Sequence, residues 1–147
     1  MYNVAISIYS FFLHLIAPFH KKVKLMIEGH VDTYETLESK IDASSKYVWF
    51  HVASLGEYEQ ALPMIEIIRE KKPTYKILLT FFSPSGYEVQ KNNELVDIVC
   101  YLPFDKKKNV RRFLDLAQPD IAIFVKYEFW YNFIHELYKR KIPVYLI

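Results

Sequence analysis

The sequence predicts an α/β domain built on a Rossmann-like, doubly wound parallel sheet in the order 3-2-1-4-5, preceded by a hydrophobic helix. Short apolar runs alternate with helical patterns from Tyr47 to the last residue. The runs are apolar on both faces, as in Ile121-Ala-Ile-Phe-Val125, which is how strands buried between two helical layers read. Right-handed crossovers between five such strands give the doubly wound order most simply. At 147 residues the chain is long enough for one domain with a full core. A hydrophobic share of 52% against 24% charged excludes a disordered chain.

The elements follow in order. Met1 to Phe19 has no charged side chain, and Tyr2, Ile6, Tyr9, Leu13 and Ile16 recur at helical spacing, with Ser7, Ser10 and His14 on another flank. A helix over Val4–Ala17 would be about 21 Å long, short of the ~30 Å hydrocarbon core of a bilayer. No positive residue precedes it, unlike a signal peptide. Basic residues follow instead, at Lys21-Lys22-Val-Lys24, which fits attachment along an anionic membrane surface. The plainer reading is a helix packed on its own domain. Pro18 closes the segment. Residues 20–45 read as a basic and polar connector with a short helix at Glu35–Ile41, and residues 46–147 as the Rossmann-like domain.

Within that domain Tyr47–Ala53 is the first strand. Glu57–Lys71 is a helix with Ala61, Ile65 and Ile68 on one face, and Pro63 must lie in its first turns or kink it. Tyr75–Phe82 is the second strand, and Ser83-Pro-Ser-Gly86 turns the chain into a helix near Tyr87–Asn93. Asp97–Leu102 is the third strand, followed by a helix Asp105–Leu116 capped by Asp105. Asp120–Val125 is the fourth strand, Phe129–Lys141 a helix, and Pro143–Ile147 begins the fifth strand.

In this order the first and fourth strands are neighbours whose connections leave in opposite directions, so the crevice at their carboxyl ends is the switch point where ligands bind. Ser54-Leu-Gly-Glu57 follows one strand and Lys126-Tyr-Glu128-Phe-Trp130 the other. Glu57 and Glu128 therefore approach one cleft. Each alone could be an acid that offsets a helix dipole, worth a few tenths of a kcal/mol. Two acids on both lips favour a functional role. Glu57 as a general base needs a pKa near working pH, which burial raises and a helix start lowers. Gly56 reads as a backbone residue that lets the turn bend and leaves room for a ligand. Ser83, Ser85 and Gly86 form either a small anion-binding turn or an ordinary capped one. His51 reads as a satisfied core histidine, and Trp130 and Tyr131 as packing.

Several classes lack a signal. A formal charge of +2 is too small to argue for nucleic acid, though Lys106-Lys107-Lys108 with Arg111-Arg112 is a local basic cluster. That cluster reads equally as a solvated helix face or as a site for anionic groups. The single cysteine, Cys100, permits no internal disulfide and no zinc set, and its apolar surroundings predict an inert buried thiol. There is no GxGxxG, no phosphate-binding Walker sequence and no HExxH.

The motifs His51-Val-Ala-Ser54-Leu-Gly56-Glu57, Ser83-Pro-Ser-Gly86 and Tyr127-Glu128-Phe-Trp130-Tyr-Asn132 together resemble the N-terminal domain of 3-deoxy-D-manno-octulosonic acid (Kdo) transferases. The hydrophobic segment and its basic flank resemble that family's membrane anchor. The resemblance covers essentially the whole chain. It implies an inverting, metal-independent and cofactor-free glycosyltransferase of GT-B architecture at the cytoplasmic face of the bacterial inner membrane. The donor it implies is CMP-Kdo, held mainly by a C-terminal domain, and the acceptor a lipid A precursor in lipopolysaccharide synthesis. By the same resemblance Glu57 is the general base and Glu128 a second functional acid. Ser54, Gly56, Ser83, Ser85, Gly86 and Lys126 are the substrate-binding candidates. Lys126 departs from the family's frequent acid, and Tyr131 from its frequent proline, which changes the local loop. The expectation that follows is an acceptor half, inactive in isolation. A non-catalytic, membrane-peripheral Rossmann-like binding module, and a soluble domain whose first helix is core, are the alternatives.

Overall fold

The computed structural model describes residues 1–126 and 128–147. In chain order the elements are α1 (Tyr2–Ile16), α2 (Lys21–Lys40), β1 (Lys46–Val52), α3 (Leu55–Lys71), β2 (Tyr75–Phe81), α4 (Pro84–Gln90), β3 (Ile98–Tyr101), α5 (Lys107–Ala117), β4 (Ile121–Phe124), α6 (Tyr131–Lys139) and β5 (Val144–Leu146). The sheet is parallel throughout, in the order β3-β2-β1-β4-β5. The expected fold class and strand order are those observed.

Strands β1 to β4 are buried on both faces, so each sorts its side chains into two cores, whereas edge strand β5 leaves Tyr145 and Leu146 exposed. Tyr47, Trp49, Leu78, Cys100, Ala122 and Phe124 face α2, α5 and α6, with Phe113 and Phe133 packed against them. Val48, Phe50, Ile77, Leu79, Phe81 and Ile123 face the side of α3, packed with Tyr58, Ala61 and Ile65. Cys100 is a buried free thiol, and burial raises its pKa. Pro63 sits inside α3 rather than in its first turns, and its missing N–H removes one rung of that helix.

Three local expectations are corrected. Residues 20–45 hold a 20-residue helix, not a short one at Glu35–Ile41. Met26, His30, Thr33 and Leu37 recur at helical spacing on its buried face. The Thr33 hydroxyl donates to the Tyr101 carbonyl at 2.8 Å and satisfies the end of β3. Asp105 does not cap the helix that follows it, whose N-cap is Lys106. Its carboxylate accepts instead from the amides of Asn132 (3.0 Å) and Phe133 (3.1 Å), in the first turn of α6. The helix after β2 starts at Pro84, because Ser83 closes its first turn by accepting from the Ser85 amide.

The helical run at the N-terminus continues through a 3-10 turn at Ala17–Phe19, so Pro18 lies within that turn rather than closing the segment. The stretch Tyr2–Phe19 is long and apolar enough, by length and composition, to cross a membrane, and only 6% of it is buried. One flank of α1 is tied down. Tyr2 donates to Asp105, Asn132 donates to Asn3 (2.8 Å), and Lys106 donates to buried Ser10 (3.1 Å). The opposite face leaves Val4, Ile8, Phe11, Phe12 and Leu15 exposed.

Candidate active site

The carboxyl ends of β1 and β4 adjoin: His51 pairs with Phe124, and the Val125 amide donates to the His51 carbonyl at 3.1 Å. The polypeptide leaves β1 through Ala53 and enters α3 at Ser54, its N-cap. Glu57 is the third residue of α3 and the acid of its first turn. Its carboxylate Oε2 accepts from the Ala53 amide, four residues back, at 2.5 Å. That bond satisfies an amide at the strand end and sets a negative charge at the positive end of the helix. The other oxygen, Oε1, makes no hydrogen bond among the described residues, and the same holds for the Ser54 hydroxyl.

Gly56 has no positive φ, so the bend does not require glycine. A methyl group added there would meet nothing within 4 Å. What glycine supplies is open space beside Glu57. The Ser83–Gly86 turn lies against this one: the Ser83 amide donates to the Ala53 carbonyl at 2.9 Å. A side chain on Gly86 would meet the Leu55 amide at 3.0 Å and collide with the Phe81 ring, so Gly86 is needed for the packing of the two turns. The Ser83 hydroxyl is occupied by the Ser85 amide (3.3 Å) and hydroxyl (3.0 Å).

On the facing lip Glu128 joins His51, expected as a satisfied core histidine, and Trp130, expected as packing, in one network. Its Oε2 accepts from Trp130 Nε1 at 2.6 Å and lies 3.5 Å from His51 Nε2. His51 is fully buried, and its Nδ1 lies 3.0 Å from the Thr80 hydroxyl and 3.2 Å from the Thr80 carbonyl. A carbonyl only accepts, so the proton of a neutral ring belongs on Nδ1. Nε2 then accepts from Trp130 Nε1 at 3.1 Å. A second proton, on Nε2, would face Glu128. Burial works to raise the Glu128 pKa. A protonated His51, through its Nε2 bond and its charge, together with the Trp130 bond, outweighs it and holds the carboxyl below its ordinary value. The signal that could have found this network is a histidine at the carboxyl end of a strand whose partner strand leads into Glu-x-Trp.

The structure thus brings Ser54, Gly56 and Glu57 together with Ser83, Ser85 and Gly86, and brings His51, Thr80 and Trp130 to Glu128. Glu57 and Glu128 stand on adjoining strand ends with no hydrogen bond between them among the described residues. Lys126 is exposed, with a left-handed φ of 59°, and its amide donates to the Ile147 carbonyl at 2.7 Å. Tyr127, part of the second lip's motif, lies outside the described residues.

Residues 28–147 match the family profile described as 3-deoxy-D-manno-octulosonic-acid transferase (kdotransferase). The chain is 40% identical over 88 residues to the 3-deoxy-D-manno-octulosonic acid transferase of Aquifex aeolicus, covering 59% of this chain and 24% of that protein. It is 36% identical over 98 residues to the transferase of the same name from Haemophilus influenzae, covering 65% and 23%. To the probable mitochondrial transferase of Arabidopsis thaliana it is 33% identical over 110 residues, covering 74% and 25%. The matched segment spans about a quarter of each of these relatives.

Proposed function

The chain belongs to the 3-deoxy-D-manno-octulosonic-acid (Kdo) transferase family, and on that premise we propose that it forms the acceptor side of a GT-B glycosyltransferase. The reaction is transfer of Kdo from CMP-Kdo to a lipid A precursor with inversion. A sugar hydroxyl of the acceptor attacks the anomeric carbon of Kdo. The bond from that carbon to the CMP phosphate oxygen breaks, and CMP leaves with the electron pair. The hydroxyl proton passes to Glu57. A single displacement of this kind needs a base and no nucleophilic side chain. Glu128 is the second acid, and Ser54, Gly56, Ser83, Ser85, Gly86 and Lys126 line the acceptor's approach.

The observation that supports this reading best is Glu57 itself. One carboxylate oxygen is anchored on the Ala53 amide, the other is free of protein partners, and open space at Gly56 lies beside it. The pair Ser83 and Ser85 serves through the outer faces of their hydroxyls, since the first turn of α4 is already closed.

The site of action in this reading is the cytoplasmic face of the bacterial inner membrane. Support comes from α1, whose inward flank is hydrogen-bonded to the domain at Tyr2, Asn3 and Ser10 while its outward face is bare hydrocarbon. A helix tied to its domain at three residues between Tyr2 and Ser10 fits a position on a membrane surface, with Lys21, Lys22 and Lys24 beside anionic head groups. This same face also favours a second reading, a membrane-peripheral binding module without catalysis.

One experiment separates them. The chain is joined to the remaining three quarters of the Haemophilus influenzae transferase and assayed for Kdo transfer from CMP-Kdo to a lipid A precursor. Turnover supports the catalytic reading. Vesicle binding without turnover supports the module.

A further inference from the structure

Two separate routes of contact run from α1 to the lip that carries Glu128. The first is polar. Asp105, on the loop after β3, is fully buried. Its Oδ1 accepts from the Phe133 amide at 3.1 Å, and its Oδ2 accepts from the Asn132 amide at 3.0 Å and from the Tyr2 hydroxyl. The Asn132 side chain donates to the Asp105 carbonyl and, at 2.8 Å, to Asn3 Oδ1. Tyr2 and Asn3 of α1 are thus joined to the first turn of α6. That turn begins where the lip ends. Trp130 is the N-cap of α6, and its carbonyl accepts from the Ile134 amide at 2.9 Å. Its indole N–H donates to Glu128 at 2.6 Å.

The second route is aromatic. The Tyr9 ring of α1 meets Phe104 edge-on, with centroids 6.3 Å apart. Phe104 meets Phe82 at 6.1 Å, and Phe82 lies 4.8 Å from the Trp130 ring. These spacings are those of aromatic rings in contact. Both routes end on Trp130, one at its backbone and one at its ring. The sheet grips the same indole through His51 Nε2, 3.1 Å away. Packed side chains and hydrogen bonds in unbroken series are what carries a positional constraint from one element to another.

We propose that α1 is a strut for the acidic lip: Tyr2 and Asn3, through Asp105 and Asn132, and Tyr9, through Phe104 and Phe82, hold Trp130 and so position the Glu128 carboxylate. They act through Trp130 and are positioning residues, not catalytic ones. The use of the strut in catalysis rests on the transferase reading; the bracing itself does not. Under the membrane reading of α1, the same ties hold the lip in a fixed position relative to the lipid surface.

The test uses the two tryptophans of the chain, whose indole N–H groups give two peaks in a ¹H–¹⁵N spectrum of the whole chain. Trp49 lies in β1, donates to the Thr80 hydroxyl at 2.8 Å and reports the core. Trp130 reports the lip, and Trp130→Phe assigns its peak. Tyr2→Phe combined with Asn3→Ala removes the polar route, and Tyr9→Ala the aromatic one. The Trp130 peak should move upfield as its bond to the Glu128 carboxylate weakens, while the Trp49 peak stays. Movement of the Trp130 peak alone, in either variant, supports the strut. A Trp130 peak unmoved in both variants overturns it, and so does equal movement of both peaks, which marks a general loosening of the fold. In the chimera with the Haemophilus influenzae transferase, Tyr2→Phe combined with Asn3→Ala should lower kcat about tenfold, the effect of a slightly misplaced group, with KM nearly unchanged. A kcat equal to the parent's overturns the positioning role. A parent chimera without turnover counts against the transferase reading alone, and the two indole peaks then decide the strut.

Discussion

His51 Nε2 and Glu128 Oε2 lie 3.5 Å apart, and the indole N–H of Trp130 sits between them, 3.1 Å from one and 2.6 Å from the other. A residue buried in β1 thereby fixes an acid carried on the loop after β4. The anchor runs deeper, because His51 is held by Thr80 of β2, whose hydroxyl also accepts from Trp49 at 2.8 Å. Three adjacent strands set the position of one carboxylate.

Glu128→Gln tests that coupling. The Glu128 pKa is depressed in the folded chain, so its contribution to stability is present above its unfolded value of about 4.5 and is lost as pH falls through the folded value. Urea denaturation should find the variant less stable by roughly 1 kcal/mol at pH 7. The difference should be smaller in acid, as pH falls below about 4.5, than at pH 7. An equal difference in acid and at pH 7 would remove the charge from the account.

Asp105→Ala should destabilise the domain by about 2–4 kcal/mol, because it strands two amides of α6 and the Tyr2 hydroxyl. Burial raises the Asp105 pKa above 3.8 despite these bonds. A raised value places its contribution below about pH 3.8 and removes it as pH rises through the folded value. The gap between parent and variant should therefore narrow from acid toward neutral pH. Thermal melts across that range check the sign.

Gly29→Ala places a methyl group into the Tyr101 ring, where α2 crosses β3. Overpacking of this kind costs about 1–3 kcal/mol. Hydrogen exchange should show the loss concentrated in α2 and β3, and uniform protection would refute the close contact.

Lys126→Gly relieves a left-handed backbone at φ 59° and should stabilise the chain by up to about 1 kcal/mol. A loss of stability measured by denaturation would instead assign the lysine side chain a structural contact.

The sheet is legible because its central strands are apolar on both faces, and five such strands with right-handed crossovers give the observed order. Helix α2 was not legible: its buried face includes His30 and Thr33, polar residues whose burial depends on an aromatic pocket and on the Tyr101 carbonyl. Asp105 misled for a related reason. An acid just ahead of a lysine-rich helix reads as its cap, yet it serves the first turn of α6, 27 residues on. The tie between His51 and Glu128 was hidden because it depends on how residues 128–130 fold back over β1, which spacing does not encode. Gly56 reads as a residue that lets the turn bend, yet its φ is not positive and the turn does not require glycine.

The most direct measurement is the turnover of Glu57→Gln in the chimera with the Haemophilus influenzae transferase, with CMP-Kdo and a lipid A precursor as substrates. General-base catalysis predicts a loss of roughly 10²–10⁴-fold in kcat with an unchanged melting temperature. Turnover within a few fold of the parent would contradict Glu57 as the group that takes the acceptor's proton.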